Sequence, residues 1–211
     1  MSTPALAEGL AVEIAKRLRR SKLDIPVGVS NRHCHLTEEH FKILFGRMSE
    51  PKKIKNIKQP GFWAAEESIS VKGPKGVISK VRLVAPYRSQ TQIEIAVTDA
   101  IGIGINPPVR QSGDIKGSAG AVLIGPAGEV EIKEGVVVAQ RHLHFNPEQA
   151  KNLGVSSGEI VRVRAGDGKG RSTVFEDVVV RVSANYSIEL HDDTDEANAA
   201  AIKTGDIVHI A

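Results

Sequence analysis

The segment Val29–Glu39 returns, almost position for position, as Val138–Glu148. Both copies carry an Arg-His-x-His element, Arg32–His35 and Arg141–His144. Both then continue through a good helix N-cap, Thr37 or Asn146, into an acidic turn. Two weaker matches follow in the same order. Thr91–Ile95 resembles Tyr186–Leu190, and Ser112–Ile115 resembles Thr204–Ile207. Three matches in one order indicate an ancestral duplication, which constrains the chain to two related halves. The first copy is longer, and the excess falls mainly in the basic, proline-containing stretch 46–66. That stretch reads as an excursion whose lysines form either a solvated surface or an entrance for a polyanion.

From Ile25 onward, short alternating apolar runs are divided by Gly, Pro and Asn. The pattern predicts strands at Val77–Ala85, Gln92–Val97, Val136–Ala139, Ile160–Arg164, Val178–Val182 and Ile207–Ile210, with short helices at Glu38–Phe45, Pro147–Leu153 and Asp195–Lys203. Such spacing suits small antiparallel barrels rather than a doubly wound parallel sheet, so the expected class is mainly β. Residues 4–20 read as an amphipathic helix, with Leu6, Leu10, Ile14 and Leu18 on one stripe and arginines at its C-terminal end.

Composition removes several classes of function. No apolar run reaches membrane-span length, and no signal peptide opens the chain, so neither a membrane nor an export route is expected. A single cysteine, Cys34, excludes an internal disulfide and fits a reducing cytoplasm. One Trp and two Tyr are too few for base-stacking platforms, and nucleic acid is not expected as a partner. The net charge of +3 is compatible with a phosphate-bearing substrate and equally with an ordinary basic surface.

Four of the seven histidines form the pairs His33/His35 and His142/His144. Residues two apart on a strand share a face, so each pair offers two imidazoles to one ion or to neighbouring ions. A lone pair would be weak evidence, but its recurrence at equivalent places makes a metal the favoured reading. Glu94, on a predicted strand, and His191, two residues beyond Glu189, are candidates to complete such sites. The alternatives are a surface carboxylate and a helix-capping histidine. His40 and His209 have no repeat partner and read as surface or packing histidines. Cys34, between two histidines, points to the opposite face of that strand and reads as a small buried apolar side chain, the alternative being a soft metal ligand. Arg32 and Arg141 also alternate against the histidines and face away from them. Arg88, in the turn after Pro86, offers a planar fork for a phosphate dianion, or is a plain loop arginine. No P-loop, dinucleotide fingerprint, nucleophile elbow or His-Glu-x-x-His helix is present.

Together, Ile25–Thr37, Ala85–Glu94, Gln140–His144 and Leu190–Ala199 closely resemble the PduL-type phosphotransacylases, or phosphate propanoyltransferases, of bacterial microcompartments and related acetate metabolism. The resemblance runs from about Asp24 to Ala211. It implies two β-barrels capped by short helices, with residues 22–31 and 140–211 in one and 32–139, including the excursion 46–66, in the other. Residues 1–21 form the N-terminal helix. It also implies two zinc ions per chain in the cleft between the barrels, with His33, His35, Glu94, His142, His144 and His191 as ligands. Arg88 becomes the phosphate-binding catalytic residue, and Ser30, Lys55, Arg82 and Asn198 contact coenzyme A. Family members carry an aliphatic residue between the first two histidines where this chain has Cys34.

What the resemblance implies is direct transfer between acyl-coenzyme A and inorganic phosphate, propanoyl or acetyl, without an acyl-enzyme. A two-metal hydrolase and a non-catalytic, metal-stapled scaffold protein are the rival readings. The first 20 residues either dock on a barrel or serve as an encapsulation peptide for microcompartment shell proteins. The expected setting is the bacterial cytoplasm or a microcompartment within it. A homo-oligomer is expected, with no copy number set by the sequence.

Overall fold

The computed structural model describes residues 3–211, with side chains from residue 7 onward. The chain opens with helix α1 (Thr3–Ser21), strands β1 (Ile25–Ser30) and β2 (His33–His35), and helix α2 (Glu38–Phe45). Strands β3 (Lys53–Asn56), β4 (Trp63–Lys72), β5 (Val77–Ala85) and β6 (Gln92–Glu94) precede helix α3 (Val97–Ile103). Next come β7 (Val109–Arg110), β8 (Ala119–Ile124), β9 (Glu129–Ala139), β10 (His142–Phe145) and helix α4 (Pro147–Leu153). The chain ends through β11 (Ile160–Ala165), β12 (Thr173–Val182), β13 (Glu189–Asp193), helix α5 (Thr194–Ala199) and β14 (Ile207–Ile210).

These elements form two units. One comprises the chain up to Val29 with Arg141–Asp192 and Glu196–Ala211; the other comprises Ser30–Gln140 with Asp193–Asp195. In the first unit, β1, β13, β10, β12, β11 and β14 close into a barrel. Alternation supplies the reason: Val161, Val163 and Ala165 of β11 turn inward while Arg162 and Arg164 stay in water. Leu143, Phe145, Val180, Leu190 and Val208 fill the centre with them. In the second unit, β8 pairs with both β4 and β9, so β4, β5, β2, β6, β9 and β8 also make a closed ring, with β3 and β7 outside it. Its core gathers Cys34, Leu36, Leu83, Ile93, Leu123 and Val136. The protein is thus mainly β, built of two barrels with short helices, as the sequence predicts.

The ladders are mixed rather than purely antiparallel. β2 runs parallel to β5 and antiparallel to β6, and β10 runs parallel to β12 and antiparallel to β13. Parallel pairing needs a crossover, which α4 and β11 supply between β10 and β12; strand periodicity carries no information about direction. Two predicted elements are also shorter than expected. The strand from Gln92 ends at Glu94, and α3 begins at Val97 after the extended Ala96, closing at Gly104 with φ +75°. Gly102 therefore lies in a helix. Helix α5 stops at Ala199 because Ala201 takes φ +52°, with Ile202 N–H donating to the Ala197 carbonyl and Ala201 N–H to Asn198 in a Schellman-type ending. Part of the excursion 46–66 is ordered as β3, which lies exposed along β4.

The helix starts follow the sequence closely. Thr37 Oγ1 accepts from His40 N–H at 3.1 Å. At α4, Asn146 Oδ1 accepts from Gln149 N–H while Gln149 Oε1 accepts from Asn146 N–H, a complete capping box. Asn146→Ala is therefore expected to cost about 1 kcal/mol in denaturant-induced unfolding. Along α1, Leu10, Ile14 and Leu18 are all exposed, and Leu6 lies outside the described side chains. Contact is made at its end, where Arg20 donates to the carbonyls of Leu153 and Gly154 at the C-terminus of α4 and pairs with Glu159. Among the described residues, no helix is long and apolar enough to cross a membrane.

Candidate metal centres

Strand period two puts His33 and His35 on one face of β2 and Cys34 on the other. Antiparallel pairing then sets Glu94 of β6 opposite His33, on that same face. One ligand atom from each of His33, His35 and Glu94 lies within 4.8 Å of the others. Nε2 of His33 is 3.5 Å from Glu94 Oε2, and Nε2 of His35 is 3.9 Å from Oε1. Both rings are fixed from behind. His33 Nδ1 lies 2.9 Å from the Asn31 carbonyl and His35 Nδ1 2.9 Å from the Val84 carbonyl. A carbonyl only accepts, so Nδ1 carries the proton and Nε2 turns a lone pair toward Glu94. This outer-shell arrangement is the one that orients histidine for a metal.

The electrostatics agree. Burial, helped by the charges of His33 and Arg88, lowers the His35 pKa to about 3, so the ring is neutral near pH 7. Burial works against ionisation of Glu94, but His33, His35, the Ser112 hydrogen bond and Arg88 outweigh it and hold the carboxyl at about 2. Two imidazole lone pairs and a carboxylate are a donor set for a borderline-soft divalent cation such as zinc.

The second repeat builds a second cluster in its own unit. His142 lies opposite His191 in the β10–β13 ladder and His144 lies opposite Glu189. Ligand atoms of His142, His144 and His191 fall within 4.8 Å of one another. The His144 ring stacks on Tyr186 at 4.1 Å. His144 is 5% exposed, and neither of its ring nitrogens has a hydrogen-bond partner. Burial, with His142 and His191 beside it, lowers its pKa to about 2. A neutral imidazole buried without partners is costly as it stands, and a bound cation would remove that cost. Both clusters thus fit a metal on their own geometry.

The structure corrects one detail of the internal repeat. Sequence matching equates Glu94 with Glu189. The ladders instead equate Glu94 with His191, each opposite the first histidine of its pair, and Gln92 with Glu189, each opposite the second. A period-two pattern looks the same after a shift of two residues, so sequence similarity alone did not fix this register.

Arg88 follows the cis Ala85–Pro86 bond, and its N–H donates to the Leu36 carbonyl. Its Nη1 donates to Ser112 Oγ at 3.1 Å, and that hydroxyl donates in turn to Glu94 Oε1 at 2.8 Å. Gln92 Nε2 bonds both Glu94 Oε1, at 2.6 Å, and Ser112 Oγ, at 2.9 Å, while Gly113 N–H holds Gln92 Oε1. One serine hydroxyl therefore separates the guanidinium from a candidate metal ligand. An open groove beside Ser112 is lined by Val109, Arg110, Asp114 and Gln140, among others. Sequence reasoning missed the roles of Gln92 and Ser112, although both lie in repeated motifs.

Other predicted residues are more scattered. Ser30 Oγ is 3.3 Å from His33 Nδ1. Arg82 stands opposite His33 in the β2–β5 ladder and donates to the Ala65 carbonyl. Lys55 is exposed on β3, and Asn198 is exposed on α5 of the other unit. Arg32 pairs with Asp99 and Arg141 with Glu196, while His40 bonds Thr91 and His209 bonds Asp24. Cys34 is fully buried in the core, and burial pushes its thiol pKa far above the usual range.

The sequence model of the phosphate propanoyltransferase family matches residues 26–203. A phosphate propanoyltransferase of Thermotoga maritima is 46% identical over 92% of this chain and 92% of its own. One from Rhodopseudomonas palustris is 46% identical over 88% of this chain and 81% of its own. One from Citrobacter rodentium is 50% identical over 83% of each.

Proposed function

The chain belongs to the phosphate propanoyltransferase family, and from that premise we propose that it exchanges an acyl group, propanoyl or acetyl, between coenzyme A and inorganic phosphate. The observation that supports this reading is the Arg88–Ser112–Glu94 chain, in which one hydroxyl separates the Arg88 guanidinium from the His33–His35–Glu94 cluster. His33, His35 and Glu94 would hold one zinc ion, and His142, His144 and His191 a second. Bound zinc supplies Lewis acidity, stabilising the negative charge that develops on oxygen during acyl transfer. Arg88 binds and orients the phosphate dianion through its planar fork. A phosphate oxygen attacks the thioester carbonyl carbon, the C–S bond breaks, and the thiolate of coenzyme A leaves with acyl phosphate remaining. The reverse reaction regenerates the thioester.

Direct attack is favoured because the chain has no accessible thiol to form an acyl-enzyme. Cys34 faces the core, and its raised pKa keeps it protonated. Ser30 and Arg82, both near His33, and Lys55 on the exposed β3 edge are the candidate contacts for coenzyme A, together with Asn198. The exposed Leu10, Ile14 and Leu18 support a role for residues 1–20 in binding microcompartment shell proteins, which would place the enzyme in such a compartment of the bacterial cytoplasm.

The test is to mix the zinc-loaded protein with propanoyl-coenzyme A, with and without phosphate, following thiol release and hydroxylamine-trapped acyl phosphate. Phosphate-dependent release with equal acyl phosphate is expected. Thiol release without phosphate would instead favour the hydrolase reading, and no release at all the scaffold reading.

A further inference from the structure

Glu189 is the residue of the second cluster to which the sequence assigns no chemistry, yet its side chain is held between His191 and Gly28. It is 6% exposed, and its Oε2 lies 2.6 Å from His191 Nε2. A carboxylate oxygen at that distance accepts the Nε2 proton, which leaves the Nδ1 lone pair for His142 and His144 to share an ion with. The carboxylate fits there because position 28 is glycine. A Cβ at Gly28 would fall 2.6 Å from Glu189 Cδ and 2.8 Å from its Oε1. Strand β1 has little freedom to retreat, since hydrogen bonds grip it on both sides of Gly28. Val27 N–H donates to the Asp206 carbonyl, Val27 O accepts from Gly205 N–H, and Val29 N–H donates to Thr204 Oγ1. These gripping residues belong to the repeated motif Thr204–Ile207, so that motif has a place in the site as well.

We propose that Glu189 is a positioning residue, seated in the space left by Gly28, that holds His191 with Nε2 protonated and so presents Nδ1 to the metal of the second cluster. This rests on the reading that His142, His144 and His191 hold an ion. The backbone at Gly28 is not in the left-handed region, so alanine is conformationally permitted and acts only through its collision with Glu189.

The experiment measures zinc affinity at both clusters of the full chain by competition with graded chelators, and the protonated nitrogen of His191 by ¹⁵N NMR of the zinc-loaded protein. Wild type is expected to bind two ions and to show an Nε2–H resonance for His191. Glu189→Gln, a weaker acceptor, weakens the second constant by about 10–100-fold and leaves the first unchanged. Gly28→Ala does the same, and the double variant is no weaker than the weaker single one. The inference is overturned if both variants keep the second constant, if His191 bears zinc on Nε2, or if either variant loses both constants together, which would mark the carboxylate as a folding element. A wild-type chain that binds no second ion overturns the underlying metal reading instead, and is distinguished by its stoichiometry.

Discussion

Replacing Arg88 with alanine is expected to lower kcat/KM for phosphate by about 10²–10³-fold, the range for removing an aligned charged donor from a reacting anion, while both ions stay bound. The contacts of the side chain separate the two effects. Arg88 donates to Ser112, and Ser112 still has Gln92 to hold it against Glu94 once the guanidinium is gone. The backbone bond to Leu36 does not depend on the side chain. Lysine at this position keeps the charge but loses the fork, and should recover only part of the activity. Steady-state kinetics in phosphate, with metal analysis of the same sample, decide the matter. Unchanged turnover would remove Arg88 from the reaction, and loss of an ion would make it a structural support.

How much of this was legible in advance depends on the physics of each element. Helix starts were, because Thr37 and Asn146 act through local backbone bonds that neighbouring residues determine. The strand alternation of Ile160–Arg164 was also legible, and so was the turning of Cys34 away from the two histidines that flank it. Strand direction was not, since β2 and β10 have the same period whether their neighbours run parallel or antiparallel. Nor was the partner of each histidine. The likeness of Thr91–Ile95 to Tyr186–Leu190 points to Glu189 as the counterpart of Glu94, while the ladder puts His191 there and leaves Glu189 behind it. Gln92 and Ser112 escaped for a related reason: their importance lies in hydrogen bonds across distant loops, which no local pattern records.

The register also sets the sharpest test of the metal reading. Alanine at His35 is expected to reduce zinc from two ions per chain to one and to lower exchange by about 10³-fold, since a Lewis-acid ion supplies several kcal/mol of charge stabilisation and each 1.36 kcal/mol is tenfold in rate. His35 is 2% exposed and already neutral from burial, so its loss deletes a lone pair and no charge. Glu94 keeps Ser112, Gln92 and the field of Arg88, which argues that the fold survives with the carboxylate still ionised. The second cluster shares no ligand with the first and should retain its ion. His144→Ala is the mirror experiment. It too should lose one ion, but it also relieves two unpartnered buried nitrogens, so the metal-free protein should unfold no more easily than metal-free wild type. A His35→Ala chain that still carries two ions and exchanges acyl groups at the wild-type rate would mean that the cluster is packing alone, and the Arg88 fork would then have no neighbouring cation to work beside.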